Sequence, residues 1–368
     1  MKVEESRKYW VALNLVLAEK LKAAKKIVDH FSTIEEVFKA SSRDLIALGI
    51  EKEKAEALTS SKILDQACRE IEKLERKKYS IITLEDASYP EYLREIFDPP
   101  FVLYCAGKAE ALKGPAVSVV GARKPSAYGR AVAEKIARDL ASRGIVIVSG
   151  LARGVDSIAH WGALEGGKTV AVLGSGLENI YPREHHTLFH KVIEQGAVVS
   201  EFPLRSPPLG FHFPIRNRII SGLSLAVVVV EASKRSGSLI SARLSLEQNR
   251  EVMAVPGNIT SGLSQGTNWL IKTGAKLVES WEDVAEELPS PLKEKLLSQK
   301  EETKEKPPSM SPQEKRVFEL LGLDSLTHID DLVEGTEFSV SEILSILLNL
   351  ELKGLIFQRP GKYFQRRL

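Results

Sequence analysis

Through the middle of the chain, short runs of β-branched apolar residues alternate with stretches of helical periodicity. Residues 116–121 (Ala-Val-Ser-Val-Val-Gly), 145–150 (Ile-Val-Ile-Val-Ser-Gly) and 169–174 (Thr-Val-Ala-Val-Leu-Gly) are short, almost wholly apolar, and end in glycine. Between them lie a polar loop at 121–126, a helical run at 128–142, a second loop at 151–156 and a helix at 155–164. This pattern predicts an α/β unit whose parallel strands are covered by helices on both faces. It continues with a helix at 183–195, a strand at 197–202, a helix at 214–222 and a buried strand at 225–232. A helix opened by Ser236-Gly-Ser238, a strand at 251–255, a helix from 266, a strand at 276–279 and a helix at 282–288 complete it. The strand-to-helix loops then share the carboxyl edge of one sheet, where ligands bind and helix N-termini offer N–H groups to anions.

The flanks read differently. Residues 1–75 are predicted to be all helical, with periodic segments at 9–25, 33–39, 42–48 and 54–74. The turn at 45–50 suggests a helix-hairpin-helix or SAM-like module, and two uses are open for it. Its N–H groups hold a DNA backbone, or the turn only packs; Glu51 and Glu53 beside it repel phosphate. Residues 76–115 are a connector of short, proline-bounded extended pieces leading into the sheet, so the central domain spans 76–288. Residues 289–311, rich in charge and proline, predict a linker with little to bury. Residues 312–368 predict three helices, at 312 onward, 327–333 and 339–353, and a hairpin around Pro360-Gly361, which together make a winged helix.

Charge changes the picture by where it sits. The whole chain is +2, but residues 115–278 hold 19 Lys/Arg against 11 Asp/Glu, whereas residues 1–75 hold 14 of each. Positive charge is therefore concentrated on the α/β unit. In the winged helix the balance is 7 against 9, and its third helix carries only Glu342, Glu351 and Lys353. The basic residues Arg359, Lys362, Arg366 and Arg367 fall on the hairpin and tail, so the unit is expected to contact protein rather than read duplex DNA. Cys68 and Cys105 have no metal-ligand spacing, no signal-like or membrane-length apolar run occurs, and a soluble cytoplasmic protein is expected.

Several motifs fail on context. Gly162-Ala-Leu-Glu-Gly-Gly-Lys-Thr169 matches the Walker A pattern, but a helix precedes it and a strand follows, the reverse of a P-loop. The three-glycine dinucleotide fingerprint is missing from the first loop. His185, His186 and His190 have neither a cysteine nor a completing carboxylate and read as a solvated helix face. No cofactor and no metal are expected.

What remains is an arginine-bearing rim. Arg123, Arg153, Arg216, Arg218 and Arg235 all fall at or near predicted strand ends or helix starts. They lie among the small residues Gly121, Ser126, Ser149, Gly150, Ser236, Gly237 and Ser238. Arginine grips phosphate with two donors, and small residues let backbone N–H groups approach it. Several such cradles suit a polyphosphate strand better than one nucleotide.

The segments Ser118-Val-Val-Gly-Ala-Arg123, Ser149-Gly-Leu-Ala-Arg-Gly-Val-Asp156, Phe213-Pro-Ile-Arg-Asn-Arg-Ile-Ile-Ser-Gly-Leu-Ser224 and Ser236-Gly-Ser-Leu-Ile240 closely resemble the DNA-processing protein A (DprA/Smf) family. The resemblance covers about residues 80–288. It implies an extended Rossmann-like domain that binds single-stranded DNA in a basic pocket. It further implies homodimers that load RecA recombinase onto incoming DNA during natural transformation. Carried over by position, the DNA contacts would come from Gly121, Ala122, Arg123, Ser126, Ser149, Gly150, Arg153, Gly154, Arg216, Asn217, Arg218 and residues 234–238. Either Lys234 or Arg235 would reach the strand. The alternative is a nucleotide hydrolase, because the segment 256–270 partly resembles the lysine-decarboxylase-like phosphoribohydrolases. Their motif places a glutamate where this chain has Leu270, leaving Asp156 and Glu231 as the only acids near the rim. Asp156 is expected to cap its helix and Glu231 to end a buried strand.

Overall fold

The computed structural model describes residues 2–302, 310–323 and 325–366. Among them, nine strands form one sheet: β1 (Ser80–Thr83), β2 (Val102–Gly107), β3 (Ala116–Val120), β4 (Val146–Ser149), β5 (Thr169–Val172), β6 (Ala197–Ser200), β7 (Ala226–Val229), β8 (Glu251–Ala254) and β9 (Lys276–Leu277). Their spatial order is β1-β2-β6-β5-β4-β3-β7-β8-β9. The strands from β6 across to β9 are parallel, and β2 joins β6 antiparallel. All residues of β3, β4, β5, β6 and β7 are buried, the reason they read as unbroken apolar runs rather than alternating ones. From β3 the chain steps outward through β4 and β5 to β6, then returns to the other side of β3 with β7. The order therefore reverses between β3 and β7, and a crevice opens beyond their carboxyl ends.

The Walker-like glycines serve packing at the opposite edge. Helix Val155–Gly166 lies so close to helix Ala127–Ala141 that a Cβ on Gly162 would stand 2.5 Å from the Glu134 carbonyl oxygen. The loop then enters β5 at its amino end, so its N–H groups face away from the crevice.

The N-terminal helices pack against the sheet flank. Trp10, Leu13, Leu17, Leu45 and Leu74 share one apolar cluster with Tyr104, Leu173, Phe189 and Leu204. Polar ties fix the angle: the Asn14 amide donates to the Glu201 carbonyl at 2.8 Å, and Glu70 accepts the Leu204 N–H at 2.7 Å. Two expected long helices are each broken in two, into Lys2–Leu17 with Leu21–His30 and Lys52–Leu58 with Ser61–Arg76. The second break is a new cap, the Ser60 hydroxyl accepting the Lys62 N–H.

The expected linker also differs. Leu292–Glu302 is helical, and Leu296 is fully buried against the cluster containing Trp281, Val284 and Leu288. Leu292, Leu296 and Leu297 give this charged stretch an apolar face. Its remainder, 303–309, lies outside the described residues.

The winged helix has its own core, built around Val317, Leu332, Ile343, Leu347, Leu350 and Phe364. Its helices are Pro312–Leu320, Ile329–Glu334 and Val340–Leu352. Thr327–His328, expected to open the second helix, forms a short strand beside Tyr363–Arg366, and His328 caps the helix instead. Ile356–Arg359 completes the wing. Arg367 of the basic tail lies outside the described residues.

Candidate nucleic-acid interface

A cavity of about 630 Å³ opens at the β3/β7 switch point. Gly121 and Arg123 line it from the loop after β3, Arg216 and Asn217 from helix His212–Gly222, and Ser236, Gly237 and Ser238 from the loop after β7. A small adjoining recess is lined by Arg123, Gly150 and Arg153. The sheet thus brings together most of the residues placed on the rim by sequence, although they come from segments more than 100 positions apart.

Their roles divide once the hydrogen bonds are traced. Three helix N-termini lie near the cavity, and one of them is met by the protein's own carboxylate. Glu231 accepts the Ser126 N–H at 2.8 Å and the Ser126 hydroxyl at 2.6 Å, at the start of helix Ala127–Ala141. It does so with a backbone φ of 143°, a conformation that side-chain-bearing residues rarely adopt. Ser126 is therefore committed inside the protein. Asp156 was expected to cap helix Val155–Gly166, but no side chain caps that helix; Asp156 instead reaches back and accepts the Gly150 N–H at 3.1 Å, tying down the loop after β4. The capping position itself is Gly154, at φ 83°, where a Cβ would meet the Ala122 carbonyl at 2.3 Å. That carbonyl accepts the Val155 N–H at 3.1 Å, so Ala122 and Gly154 lock the first two loops together. Burial raises the Asp156 carboxyl above the usual range, opposed by the nearby Arg216.

Helix Ser238–Glu247 is the third, and it carries no acid in its first turn. Its Ser236 and Ser238 hydroxyls lie 2.8 Å apart on the cavity wall. No carboxylate meets this end, although the Ser238 N–H bonds the Ser236 hydroxyl at 3.4 Å and the Leu239 and Ile240 N–H groups bond the Ser236 and Gly237 carbonyls, so its pull on an anion comes from the helix dipole and the serine hydroxyls.

The arginines also divide. Arg123 is exposed at the cavity mouth. Arg216 is the cavity floor: it is buried and donates to the Gly150 carbonyl at 2.6 Å and to the Val172 carbonyl. Burial lowers it to about 10, so it stays cationic at neutral pH. Arg153 is at the recess, paired with Glu184 at 2.5 Å across an exposed surface. Lys234 and Arg235 are exposed on the loop that leads to Ser236.

Two expected rim residues are elsewhere. Arg218 is buried, bonded to Glu201 and 3.6 Å from Asp98. It stands two positions after Arg216 on one helix, about 200° round the axis, so the two side chains cannot share a face. Ser149 is fully buried, its hydroxyl donating to the Val119 carbonyl at 2.7 Å within the sheet.

The sequence reading missed the aromatic wall. Tyr181 and Phe213 line the cavity with ring centroids 5.7 Å apart, and the Arg123 and Arg216 guanidiniums each lie 5.9 Å from the Phe213 ring. Both precede a proline, Tyr181 in the loop after β5 and Phe213 in the first turn of helix His212–Gly222, a signal legible in the sequence. Cations, an open helix end and two ring faces are the elements that hold a phosphate backbone while stacking its bases.

A mostly parallel sheet with an arginine-floored crevice at its switch point, followed by a winged helix, defines a Rossmann-like protein suited to a polyanion. The chain belongs to the DNA recombination-mediator protein A family, whose model matches residues 80–289, and residues 301–362 match the DprA winged helix domain. It is 44% identical over 298 residues to Protein Smf of Escherichia coli (strain K12), covering 80% of this chain and 79% of that one. Over 214 residues it is 46% identical to the DNA processing protein DprA of Streptococcus pneumoniae, covering 58% and 76%. The X-ray structure of DNA processing protein A from Streptococcus pneumoniae superposes with a TM-score of 0.65 at 36% identity, covering 77% of this chain and 98% of that one. A Helicobacter pylori structure that addresses the single-stranded DNA binding mode of DNA processing protein A superposes at 0.52 with 33% identity, covering 56% and 94%. Among the described residues, no helix is long and apolar enough to cross a membrane.

Proposed function

We propose that the chain binds single-stranded DNA in the switch-point cavity, as a cytoplasmic homodimer, and loads RecA recombinase onto the strand during natural transformation. Residues 76–288 form the binding core in this reading, and the helical and winged-helix units at 1–75 and 312–368 flank it. The observation that carries it is the pairing of an acid-free helix N-terminus and Arg123 with the Tyr181–Phe213 ring wall in one cavity. A single strand offers unpaired bases to rings, and a duplex does not. The Helicobacter pylori relative supports the same ligand. Asp156 and Glu231, the two acids a hydrolase would need, are bonded to the loops they close. The strand contacts are assigned to Arg123, Arg216, Asn217, Ser236, Gly237 and Ser238, with Lys234 or Arg235 at the rim.

The test is a titration of purified protein with single- and double-stranded oligonucleotides of one sequence across a salt series. Tighter binding of the single strand, falling linearly in log–log form with salt, is expected. Equal affinity for both forms would overturn the cavity as the site. RecA loading is tested separately, by whether the protein accelerates RecA assembly on a strand already coated with single-strand-binding protein.

A further inference from the structure

The winged helix carries a surface that strand binding does not use. In its third helix, Val340–Leu352, the inward residues Ile343, Ile346, Leu347 and Leu350 are buried in the domain core. On another face Val340, Leu344, Leu348 and Leu352 recur every fourth residue, 48%, 42%, 57% and 78% exposed. Residues four apart line one ridge of a helix, so these form a continuous apolar ridge facing solvent. Soluble domains seldom leave such a row uncovered without a partner.

Charge identifies the partner. From residue 329 to 353, the second helix, the turn and the third helix hold six carboxylates: Asp330, Asp331, Glu334, Glu337, Glu342 and Glu351. The one cation there, Lys353, has its ammonium on the two oxygens of Glu314, at 2.7 and 2.8 Å. A nucleic-acid backbone is repelled by this surface, and a second copy would bring the same acids against themselves. We propose that the ridge is a docking site for a basic amphipathic helix of another protein. The partner's apolar residues at i, i+3, i+4 and i+7 would interdigitate with Leu344 and Leu348 while its lysines or arginines meet Glu337 and Glu351. This goes beyond strand binding and does not depend on it.

The experiment uses the full chain and two labelled 18-residue helical peptides with the same leucine ridge, one flanked by lysines and one by glutamates. The first variant is Leu344→Ser with Leu348→Ser, and the second is Glu337→Lys with Glu351→Lys. Asp331 and Glu342 are left alone because they complete helix caps. Wild type is expected to bind the lysine-flanked peptide, and the leucine variant to lose about tenfold or more of that affinity. The charge variant is expected to lose it too and to gain the glutamate-flanked peptide, a readout that survives if the leucine variant misfolds. Oligo(dT) affinity is expected to be unchanged in both, which separates this proposal from the cavity reading. Peptide binding indifferent to both variants would overturn the proposal. So would leucine-dependent self-association in sedimentation, which assigns the ridge to a second copy. Leucine-dependent duplex binding would assign it to DNA and overturn it as well.

Discussion

Arg123 and Arg218 make a paired test, because sequence placed both on the rim and the structure separates them. Arg123 is exposed at the cavity mouth without an ion pair among the described residues. Arg123→Ala is therefore expected to leave thermal stability within about 0.5 kcal/mol. Losing one charge-assisted phosphate contact costs about 1.5–3 kcal/mol, roughly a 10- to 100-fold weakening at low salt. The log–log salt slope for a single strand should fall by about 0.7. Arg218 is expected to behave in the opposite way. Removing it strands Glu201, whose carboxyl burial has already pushed up to about 7, beside the partly exposed Asp98. Breaking a buried pair costs about 3–5 kcal/mol, and uptake of a proton by Glu201 holds Arg218→Ala to the lower end. Over a domain of this size that is a melting-temperature loss of roughly 6–12 °C, with the salt slope unchanged at temperatures where the variant is folded. Anisotropy of labelled oligo(dT) across a sodium chloride series, beside calorimetry of each variant, reads both quantities. A lowered slope with intact stability in Arg218→Ala would refute the division of the arginines, and an unchanged slope in Arg123→Ala would remove the strand from the cavity mouth.

Other outcomes follow from the packing. His160 is buried, donates from Nδ1 to the Thr169 hydroxyl at 2.7 Å, and has no partner at Nε2 among the described residues. Burial pushes it down to about 3, so between its ordinary value and that point the unfolded chain binds the extra proton and stability falls as pH drops. At pH 5 the loss is about 2 kcal/mol relative to neutral pH, and His160→Gln should flatten that limb in denaturant titrations; an equally steep limb would count against it. Gly162→Val should cost several °C in melting temperature by pushing helix Val155–Gly166 off Glu134, and a wild-type melt would refute the close-packing role. Lys168→Ala should leave oligo(dT) affinity unchanged, since Lys168 is exposed at the amino edge of β5; a large loss would move the site to that edge.

What the sequence made legible was set by periodicity. Buried β-branched runs announce parallel strands, and their following loops must share one edge, so the crevice could be located before any contact was known. The winged helix was legible for the same reason. Side-chain direction was less so, though the two-residue spacing of Arg216 and Arg218 already forbade both from facing one cavity. The helix breaks near Lys20 and Ser60 and the apolar face of 292–297 were local features overridden by charge and propensity in the reading. The Ser126–Glu231 bond was beyond reach, because it depends on β7 lying beside β3, where Ser118 pairs with Val227 across 109 positions of sequence, a pairing no local pattern encodes.

That bond bears on how selective the site can be. A sheet edge with three uncapped helix ends would attract any small phosphate compound, and a free nucleotide would compete with a strand. Glu231 meets one of those ends from within, at a strained backbone position, and Asp156 ties down the loop before the second. Arg216 is likewise tied to two carbonyls and faces Asp156, so its charge is largely balanced at the floor. Net attraction is left at the mouth, between Arg123 and the acid-free helix end at Ser238, with the rings of Tyr181 and Phe213 alongside. A lone phosphate finds one helix end and one exposed arginine there. A strand adds stacking energy to each backbone contact, and only a ligand with several bases in series can use both.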